Sequence, residues 1–506
     1  MVAPVKRKQD EFQAFYTNCD FITSYMIGLL KCENEISILE PCAGEGIFID
    51  EIFKQGFYPE IRAYELNEVS CEKLKGKYKS HSNVQVKNED FLLLLALFRE
   101  KFDRVIANPP YGAFQTPAKR KLLKKEFPHL YAKETYSLFL FRSMEMLRSS
   151  GRLVFIIPDT YLTLHMHEGL RRKILSDYTI ESIAMFPSKF FPNVNFGYAG
   201  LSIISITNER ADKTHHFPIY NGFKNQSELP DLLTEKKKKY EVCQLSYQQI
   251  HKNPSAAFFL SSEKWISSVI ASKAETVGNL CSVVTGFYSG NDAKHLKRSA
   301  TVTRGTKKYT TINMDEICKD DFSMNPPLSG INGKACWVPI VKGGNKRFYK
   351  PSEWFMDWSK NALHEYRVAN KKKARFQNSQ YYFQHGIAVP MVSASSITAS
   401  LIDGRLFDQS IVGIFPHAEY KKLTYYILGF FNSKVCNKLI RTINASTNNS
   451  ANYIKKIPLI IPSQKVVNMV SREVERLIGL ASNSNIHETQ LEEINKRFNV
   501  IYNVIP

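Results

Sequence analysis

The sequence predicts an α/β fold with an open, mostly parallel sheet that ends in an antiparallel hairpin, followed by an α+β region. A glycine-bearing turn at residues 44–46 joins the first strand-like run to an amphipathic helix. After about residue 241, short β-like runs alternate with turns. Four successive strand-like runs in the front half end in a polar side chain, and these residues are Glu40, Glu65, Asp90 and Asn108.

The first elements are a helix, a strand and a second helix. Residues 20–32 carry apolar side chains at helical spacing, with Asp20 as a plausible cap. Residues 36–40 are predicted to be a buried strand, and a helix begins at Ile47. In such sheets, ligands bind at the carboxyl ends of strands. Gly44 and Gly46 lack a Cβ, which would let a ligand approach the turn closely.

The turn after the first strand favours a cationic ligand. It does not have the pattern G-x-G-x-x-G, and no lysine follows it as in a phosphate-binding loop. Glu40 would repel a pyrophosphate and attract a positive charge. The sulfonium and ammonium groups of S-adenosylmethionine meet that requirement, so this nucleoside is the expected cofactor.

The next two strands supply acids at positions suited to a nucleoside. Glu65 ends the second strand, where a carboxylate can accept hydrogen bonds from ribose hydroxyls. Asp90 follows the third strand and could accept from an adenine amino group, with Phe91 packed on the ring. Taken alone, each acid is better explained as a helix cap or a solvated loop residue.

The fourth strand, residues 103–107, ends in Asn108-Pro109-Pro110-Tyr111. Each proline fixes its own φ and restricts the preceding residue, so the Asn108 amide would be held in a preset direction. A rigid amide beside an aromatic ring suits a flat ring that bears an amino group. The alternative interpretation is a proline-rich turn after a strand.

These motifs together resemble the S-adenosylmethionine-dependent DNA amino-methyltransferases of the adenine-N6 type. The resemblance covers about residues 13–205, and Phe15-Tyr16-Thr17 is similar to an additional cofactor motif of the family. That motif precedes the glycine turn, an order that resembles the gamma class of bacterial restriction–modification systems. The resemblance implies a Rossmann-like core in which the cofactor contacts are Thr17, Glu40, Pro41, Cys42, Ala43, Gly44, Gly46, Glu65, Asp90, Phe91 and Pro110.

The resemblance also implies the catalytic residues. The Asn108 side-chain oxygen and the Pro109 carbonyl would accept the protons of adenine N6, with Pro110 beside them. The base must be flipped out of duplex DNA. Tyr111 would stack on one face of the base and Phe191 on the other, with Phe190 as the competing candidate for that second face.

The front half continues with a basic stretch, a helix and further strands. Lys119, Arg120 and Lys121 lie next to the predicted site and are expected to contact DNA phosphates, the alternative being a solvated face. Helical periodicity extends over residues 134–148, a buried strand over 152–159, and a hairpin over 180–206.

The charge is concentrated in the back half. Residues 1–210 contain 28 basic and 25 acidic residues, whereas 211–506 contain 40 and 23. This asymmetry favours a polyanion-binding region behind a catalytic one. We predict a catalytic domain over 1–215, a linker over 216–240, a target-recognition domain over 241–463 and packed helices over 464–506. The DNA contacts expected in the recognition domain are Lys342, Lys346, Arg347 and Arg375.

Other protein classes are disfavoured by composition. The nine cysteines include no C-x-x-C pair, which argues against a disulfide scaffold, and no metal site is expected. No signal peptide is evident and no apolar run is long enough to cross a membrane, so a cytoplasmic location is expected.

The leading function is a sequence-specific adenine-N6 methyltransferase that acts on double-stranded DNA and protects it from a cognate restriction endonuclease, without a stable complex between the two. One alternative is a methyltransferase of a protein glutamine or of RNA, because Asn-Pro-Pro-Tyr can also position those amino groups. A DNA-binding protein on an inactive methyltransferase scaffold is a further, non-enzymatic alternative.

Overall fold

The chain divides into two compact units, Met1–Ser262 and Glu263–Pro506. The structure is a computed structural model. The residues that it describes are 20–94, 100–111, 115–186, 190, 200–229, 231–234, 240–259, 263–272, 274–303, 307–344, 346–369, 373–393, 396–444, 448–484 and 486–504.

The first unit is built on a nine-stranded sheet with helices between the strands. Its elements in chain order are α1 (Asp20–Leu30), β1 (Ser37–Glu40), α2 (Ile47–Lys54), β2 (Glu60–Tyr64), α3 (Glu68–Lys77), β3 (Val84–Lys87), β4 (Phe102–Ala107), α4 (Pro117–Glu126), α5 (Thr135–Glu145), β5 (Leu147–Pro158), α6 (Glu168–Asp177), β6 (Thr179–Phe186), β7 (Leu201–Thr207), β8 (His216–Asn221), α7 (Asp231–Thr234), β9 (Glu241–Ser246) and α8 (Tyr247–Lys252).

The strand order is β3-β2-β1-β4-β5-β7-β6-β8-β9. The first five strands run parallel to one another, and β7 inserts antiparallel between β5 and β6. This topology confirms the predicted α/β class with a mostly parallel sheet and an antiparallel hairpin. The sheet then continues for two more strands. Strand β8 pairs parallel with β6, and β9 pairs antiparallel with β8.

Strands β8 and β9 and helix α8 pack into the first unit, although the sequence predicts a linker over 216–240. Phe217 and Ile219 of β8 are completely buried in the core beneath the sheet. The guanidinium of Arg171 donates to the carbonyl oxygens of Ser255 and Ala256. The division between the units therefore falls after residue 262. The predicted linker was wrong because two short strands in a polar stretch give a weak sequence pattern.

The helices near the sheet edge begin at clear sequence signals. The Asn67 side chain accepts from the backbone N–H of Ser70 and starts α3. Thr116 accepts from the N–H of Lys119 and, with Pro117 in the first helical position, starts α4. These caps determine the residue at which each helix begins, next to the sheet edge that carries the polar strand ends.

The second unit contains two four-stranded sheets and several helices. Its elements are α9 (Lys264–Ala271), α10 (Val277–Leu280), β10 (Cys281–Thr285), α11 (Asp292–His295), β11 (Leu296–Arg298), β12 (Trp337–Val341), β13 (Trp354–Asp357), α12 (Lys360–His364), β14 (Ile387–Pro390), β15 (Ser400–Leu401), β16 (Leu406–Phe407), β17 (Ile411–Pro416), α13 (Thr424–Phe431), α14 (Lys434–Ile443), α15 (Ala451–Ile454), α16 (Gln464–Ala481) and α17 (Glu492–Ile501). The strand orders of the two sheets are β10-β17-β14-β15 and β11-β13-β12-β16. The C-terminal helices pack within the unit, since Val470 and Val474 of α16 approach Gly429 of α13.

Within the described ranges, we find no helix that combines the length and the apolar character needed to cross a membrane.

Candidate functional site

The carboxyl edge of the parallel strands gathers the four predicted polar residues. Strands β3, β2, β1 and β4 are neighbours in that order and run in the same direction. Glu40 is the last residue of β1, while Glu65 and Asn108 directly follow β2 and β4. Asp90 lies three residues beyond β3. The four side chains therefore start from one edge of one sheet, where ligands of such folds bind.

Glu65 closes the glycine turn from the neighbouring strand. One carboxylate oxygen accepts from the Gly44 N–H at 2.8 Å, and the other accepts from the Asn67 N–H at 2.7 Å. Burial raises the pKa of Glu65, although these two backbone hydrogen bonds lower it. The carboxylate is thereby fixed in direction beside the turn after β1.

Cys42 connects the glycine turn to the end of β4. The backbone N–H of Asn108 donates to the Cys42 thiol, and burial raises the pKa of that thiol well above its usual value. Cys42 is thus a neutral packing contact between the two motifs, with Pro41 and Ala43 buried on either side of it. The predicted cofactor motif and the predicted catalytic corner are in direct contact.

Glu40 is a buried carboxyl that lacks a full set of partners. Only 2% of its surface is exposed, and its Oε2 has no hydrogen-bond partner among the described residues. Burial raises the pKa of Glu40 well above its usual value, and the nearby charges of Asp50 and Glu65 raise it further. A buried acid with an unpaired oxygen is costly unless a donor or a cation joins it.

Gly44 and Gly46 have positive φ angles, 56° and 78°. A Cβ on Gly46 would overlap the Tyr78 hydroxyl, which donates to the Gly46 carbonyl at 2.9 Å. The sequence suggests that Gly46 is needed so that a ligand can approach the turn closely. In the structure it permits α3 to pack against the turn, in a backbone conformation that favours glycine.

The Asn108-Pro109-Pro110-Tyr111 corner is held from two sides. The Thr135 hydroxyl donates to the Pro110 carbonyl at 2.6 Å. The Tyr111 hydroxyl lies within hydrogen-bonding distance of the Asn108 side-chain oxygen and 3.0 Å from the Ile156 carbonyl. Tyr111 is 7% exposed, so most of the ring predicted to stack on a base is packed against the protein here.

Asp90 and Phe91 make contacts within the protein. Asp90 accepts from the Leu92 N–H through Oδ1, and its Oδ2 lies 2.5 Å from the Lys119 ammonium. The Phe91 ring is 2% exposed and stacks on Phe139 with ring centroids 5.6 Å apart. The ring predicted to cover an adenine is therefore part of the core, and Asp90 stands at the surface beside it.

Two residues of the site were missed by the sequence reasoning. Thr135, at the start of α5, orients the Pro110 carbonyl, and nothing in the local pattern indicates that contact. Asp159 follows β5 at the same edge of the sheet, and burial raises its pKa to about 6. The strand-end argument that selected Glu40 and Asn108 applies equally to Asp159 and would have found it.

Two predicted residues, Thr17 and Phe191, lie outside the described residues. Phe190, the competing candidate for the second stacking face, is 6% exposed, and its ring stacks on Phe186 at 5.9 Å. Phe190 thus contributes to the core at the end of β6, and the role of Phe191 stays a prediction.

The predicted DNA contacts differ in their surroundings. Lys119 pairs with Asp90, whereas its neighbour Arg120 is half-buried and Lys121 is exposed on α4. Arg375 is exposed beside Tyr288 in the second unit.

Two of the lysine and arginine side chains predicted to contact DNA are neutralised within the second unit. The Lys342 ammonium lies 2.9 Å from both Asp292 and Asp408. Burial lowers the pKa of Lys342, but the two carboxylates outweigh that effect and raise it. Arg347 pairs with Glu488 at 2.6 Å, and Lys346 is half-buried. Lys342 is therefore a structural charge, which the spacing of basic residues could not reveal.

Sequence comparison identifies the segment that carries this edge. Residues 34–191 match the Eco57I restriction-modification methylase family. This match confirms the predicted resemblance to the methyltransferases of restriction–modification systems. We refer to residues 34–191 as the methylase segment, which contains Glu40, Glu65, Asp90 and Asn108.

Curated relatives match the same part of the chain. The Type II methyltransferase M.VspI of Vibrio sp. (strain 343) is 30% identical over 180 residues, which are 33% of this chain and 42% of that protein. The Type II methyltransferase M.HincII of Haemophilus influenzae is 30% identical over 181 residues, 34% of each chain. The alignments thus span well under half of these relatives.

Solved structures share the fold over a longer range. The DrdV–DNA complex, solved by cryo-electron microscopy, has a TM-score of 0.54 at 12% identity and covers 93% of this chain and 58% of that one. The ATP-dependent Type ISP restriction-modification enzyme LlaBIII bound to DNA has the same TM-score and identity and covers 94% and 40%. At this identity the likeness concerns the fold of the methylase segment and of the residues that follow it.

Proposed function

We propose that this protein is a sequence-specific DNA methyltransferase that transfers the methyl group of S-adenosylmethionine to N6 of an adenine flipped out of duplex DNA. It would act in the cytoplasm and protect DNA from a cognate restriction endonuclease without forming a stable complex with it. The names of the Type II methyltransferase relatives and the family of the methylase segment support this assignment.

The observation that carries the proposal is the contact between two motifs at one sheet edge. Cys42 of the glycine turn accepts from the Asn108 N–H, and Glu65 accepts from Gly44 of the same turn. A cofactor held by the turn would therefore adjoin the Asn108 amide. The reacting groups of a methyl transfer need such proximity, because positioning supplies much of the rate.

The Glu40 carboxyl fits a cationic cofactor. Its unpaired, buried Oε2 needs a partner, and the charges of Asp50 and Glu65 make the surroundings negative. S-adenosylmethionine carries an ammonium and a sulfonium, and when bound it supplies an electrophilic methyl group. Glu40 and Glu65 would hold the positive and ribose portions, and Asp90 the adenine amino group.

The Asn108 corner can activate an amino group without a covalent intermediate. Adenine N6 is a weak nucleophile because its lone pair is conjugated with the ring. The Asn108 Oδ1 and the Pro109 carbonyl would accept its two protons and turn the lone pair towards the methyl group. These acceptors strengthen their hydrogen bonds as positive charge develops on the nitrogen. The Pro110 carbonyl, bound to Thr135, keeps the corner rigid.

The charge of the second unit favours a nucleic-acid substrate over a protein one. Residues 263–506 contain 33 basic and 18 acidic residues, a composition suited to a phosphate backbone. The proposal is tested by incubating the full chain with methyl-labelled S-adenosylmethionine and, in parallel, duplex DNA, RNA and bacterial protein extract. Label in duplex DNA alone is expected, and label in protein or RNA instead would support the alternative function.

Cofactor affinity should depend on pH through Glu40. A cation binds the ionised carboxylate, so binding of S-adenosylhomocysteine, which retains the ammonium, should weaken as pH falls through the raised pKa of Glu40. One linked proton changes the dissociation constant by up to about tenfold per pH unit. Titration calorimetry over a pH series measures this dependence.

Glu40→Gln should flatten this pH profile and weaken binding at high pH, because the charge is lost. Glu45→Gln is the matched control, since Glu45 lies exposed in the same turn. A Glu40→Gln profile that keeps the wild-type slope would exclude Glu40 as the titrating cofactor contact.

The Tyr111 ring and hydroxyl should contribute differently. Tyr111→Ala removes the ring and should lower methyl transfer by about 1–3 kcal/mol of stacking energy, some 5- to 150-fold. Tyr111→Phe keeps the ring, loses the hydroxyl contacts with Asn108 and Ile156, and should remain within a few-fold of wild type. Single-turnover rates compare the two variants, and equal losses would show that the ring has no stacking role.

A further inference from the structure

Lys119 and Asp90 form an ion pair between two predicted binding regions. The Lys119 ammonium lies 2.5 Å from Asp90 Oδ2, and the two side chains are 26% and 18% exposed. Asp90 Oδ1 already accepts from the Leu92 N–H. The second carboxylate oxygen, Oδ2, which could accept from an incoming amino group, is therefore already paired with the lysine.

The position of Lys119 is unfavourable for a lysine by helix electrostatics alone. It is the third residue of α4, after the Thr116 cap and Pro117, and no acidic residue stands in that first turn. The positive end of a helix dipole repels a cation there. Asp90, from a different part of the chain, supplies the missing negative charge, so α4 depends on this carboxylate for its electrostatic balance.

A second connection holds the same two regions together. Arg142 of α5 pairs with Glu126 at the end of α4 at 2.5 Å. The same guanidinium donates to the carbonyl oxygens of Phe91 and Leu94, next to Asp90. The basic helix and the segment after β3 are thus one connected piece, and release of Lys119 would not detach α4.

We propose that Lys119 couples cofactor binding to DNA binding. Without the cofactor, the Lys119 ammonium pairs with Asp90. When the adenine amino group of the cofactor donates to Asp90 Oδ2, the ammonium leaves Asp90 and binds a DNA phosphate. This regulation rests on the proposed function, which gives Asp90 and Lys119 their two ligands. While its charge is compensated by Asp90, Lys119 attracts a phosphate more weakly, so each ligand favours the other.

Cofactor binding and DNA binding are linked thermodynamically in this mechanism. Because coupling between two sites is reciprocal, the factor by which cofactor strengthens DNA binding equals the factor by which DNA strengthens cofactor binding. A partly exposed ion pair limits this factor to about two- to fivefold. Removal of the lysine should abolish the coupling and leave Asp90 more accessible to the cofactor.

The test is Lys119→Ala in the full chain. The dissociation constant of S-adenosylhomocysteine without DNA should decrease about two- to fivefold, because nothing competes for Asp90. The dissociation constant of a fluorescent DNA duplex is measured with and without saturating S-adenosylhomocysteine. The wild type should bind DNA more tightly with the analogue, and the variant should bind more weakly and show no such gain.

Lys125→Ala is the matched control, because Lys125 is exposed near the end of the same helix, α4. It should leave the affinity for S-adenosylhomocysteine and the coupling unchanged. Unchanged or weaker binding of S-adenosylhomocysteine by Lys119→Ala would overturn the proposed coupling. The proposed function would still stand if the wild type methylates DNA. A wild type that binds no analogue would overturn both.

Discussion

Asn108→Ala is expected to lower methyl transfer by about two to three orders of magnitude, the typical loss when one preorganised hydrogen-bonding group is removed from an active site. The variant leaves adenine N6 with the Pro109 carbonyl as its remaining acceptor, so the lone pair is no longer directed at the methyl group. Single-turnover incorporation of labelled methyl into DNA measures the effect. Near-normal turnover would contradict the proposed chemistry.

The same variant should keep its ligands, which distinguishes lost chemistry from lost folding. The affinities for S-adenosylhomocysteine and for duplex DNA should stay within a few-fold of wild type. Asn108→Asp retains a side-chain oxygen and should recover part of the rate. The Cys42 contact is made by the Asn108 backbone N–H, so neither substitution removes it.

Arg171→Ala should destabilise the first unit by at least about 3 kcal/mol, since hydrogen bonds to a charged donor contribute roughly 1.5–3 kcal/mol each. The Arg171 guanidinium is completely buried and donates to four carbonyls, those of Tyr161, Leu164, Ser255 and Ala256. Thermal unfolding should show a decrease in Tm of several degrees.

Strain adds to this effect. Ser255 and Ala256 have φ angles of 57° and 50°, a region that non-glycine residues avoid. Arg171 holds both carbonyls and so stabilises this conformation. Arg172→Ala is the control, because Arg172 pairs with Glu168 at the surface and should change Tm little. Equal Tm values for the two variants would show that the buried guanidinium is not essential for folding.

The sheet edge could be predicted from the sequence because its signals are local. The predicted strand ends at Glu40, Glu65 and Asn108 agree with the structure, and Ile47 begins α2 as expected. Alternation of β-branched residues and a glycine turn are encoded within a few positions. Parallel strands then bring their ends together by topology, which requires no knowledge of distant contacts.

Other features depend on contacts between residues far apart in the chain. The burial of Phe91 against Phe139 is one such contact, and the neutralisation of Lys342 by Asp292 and Asp408 is another. The sequence alone does not show whether a basic or aromatic side chain contacts a ligand or packs in the core. The later division between the units has the same origin, since β8 joins the sheet by pairing with β6.

The Asn108 corner is proposed to methylate an adenine amino group in DNA. The most direct measurement is to methylate duplex DNA of varied sequence with labelled S-adenosylmethionine, digest it to nucleosides and identify the labelled one, while the modified positions are mapped. N6-methyladenine is expected at one fixed recognition sequence, with about a hundredfold to a thousandfold less in Asn108→Ala. N4-methylcytosine, label spread without sequence preference, or label confined to RNA or protein would contradict the proposed function.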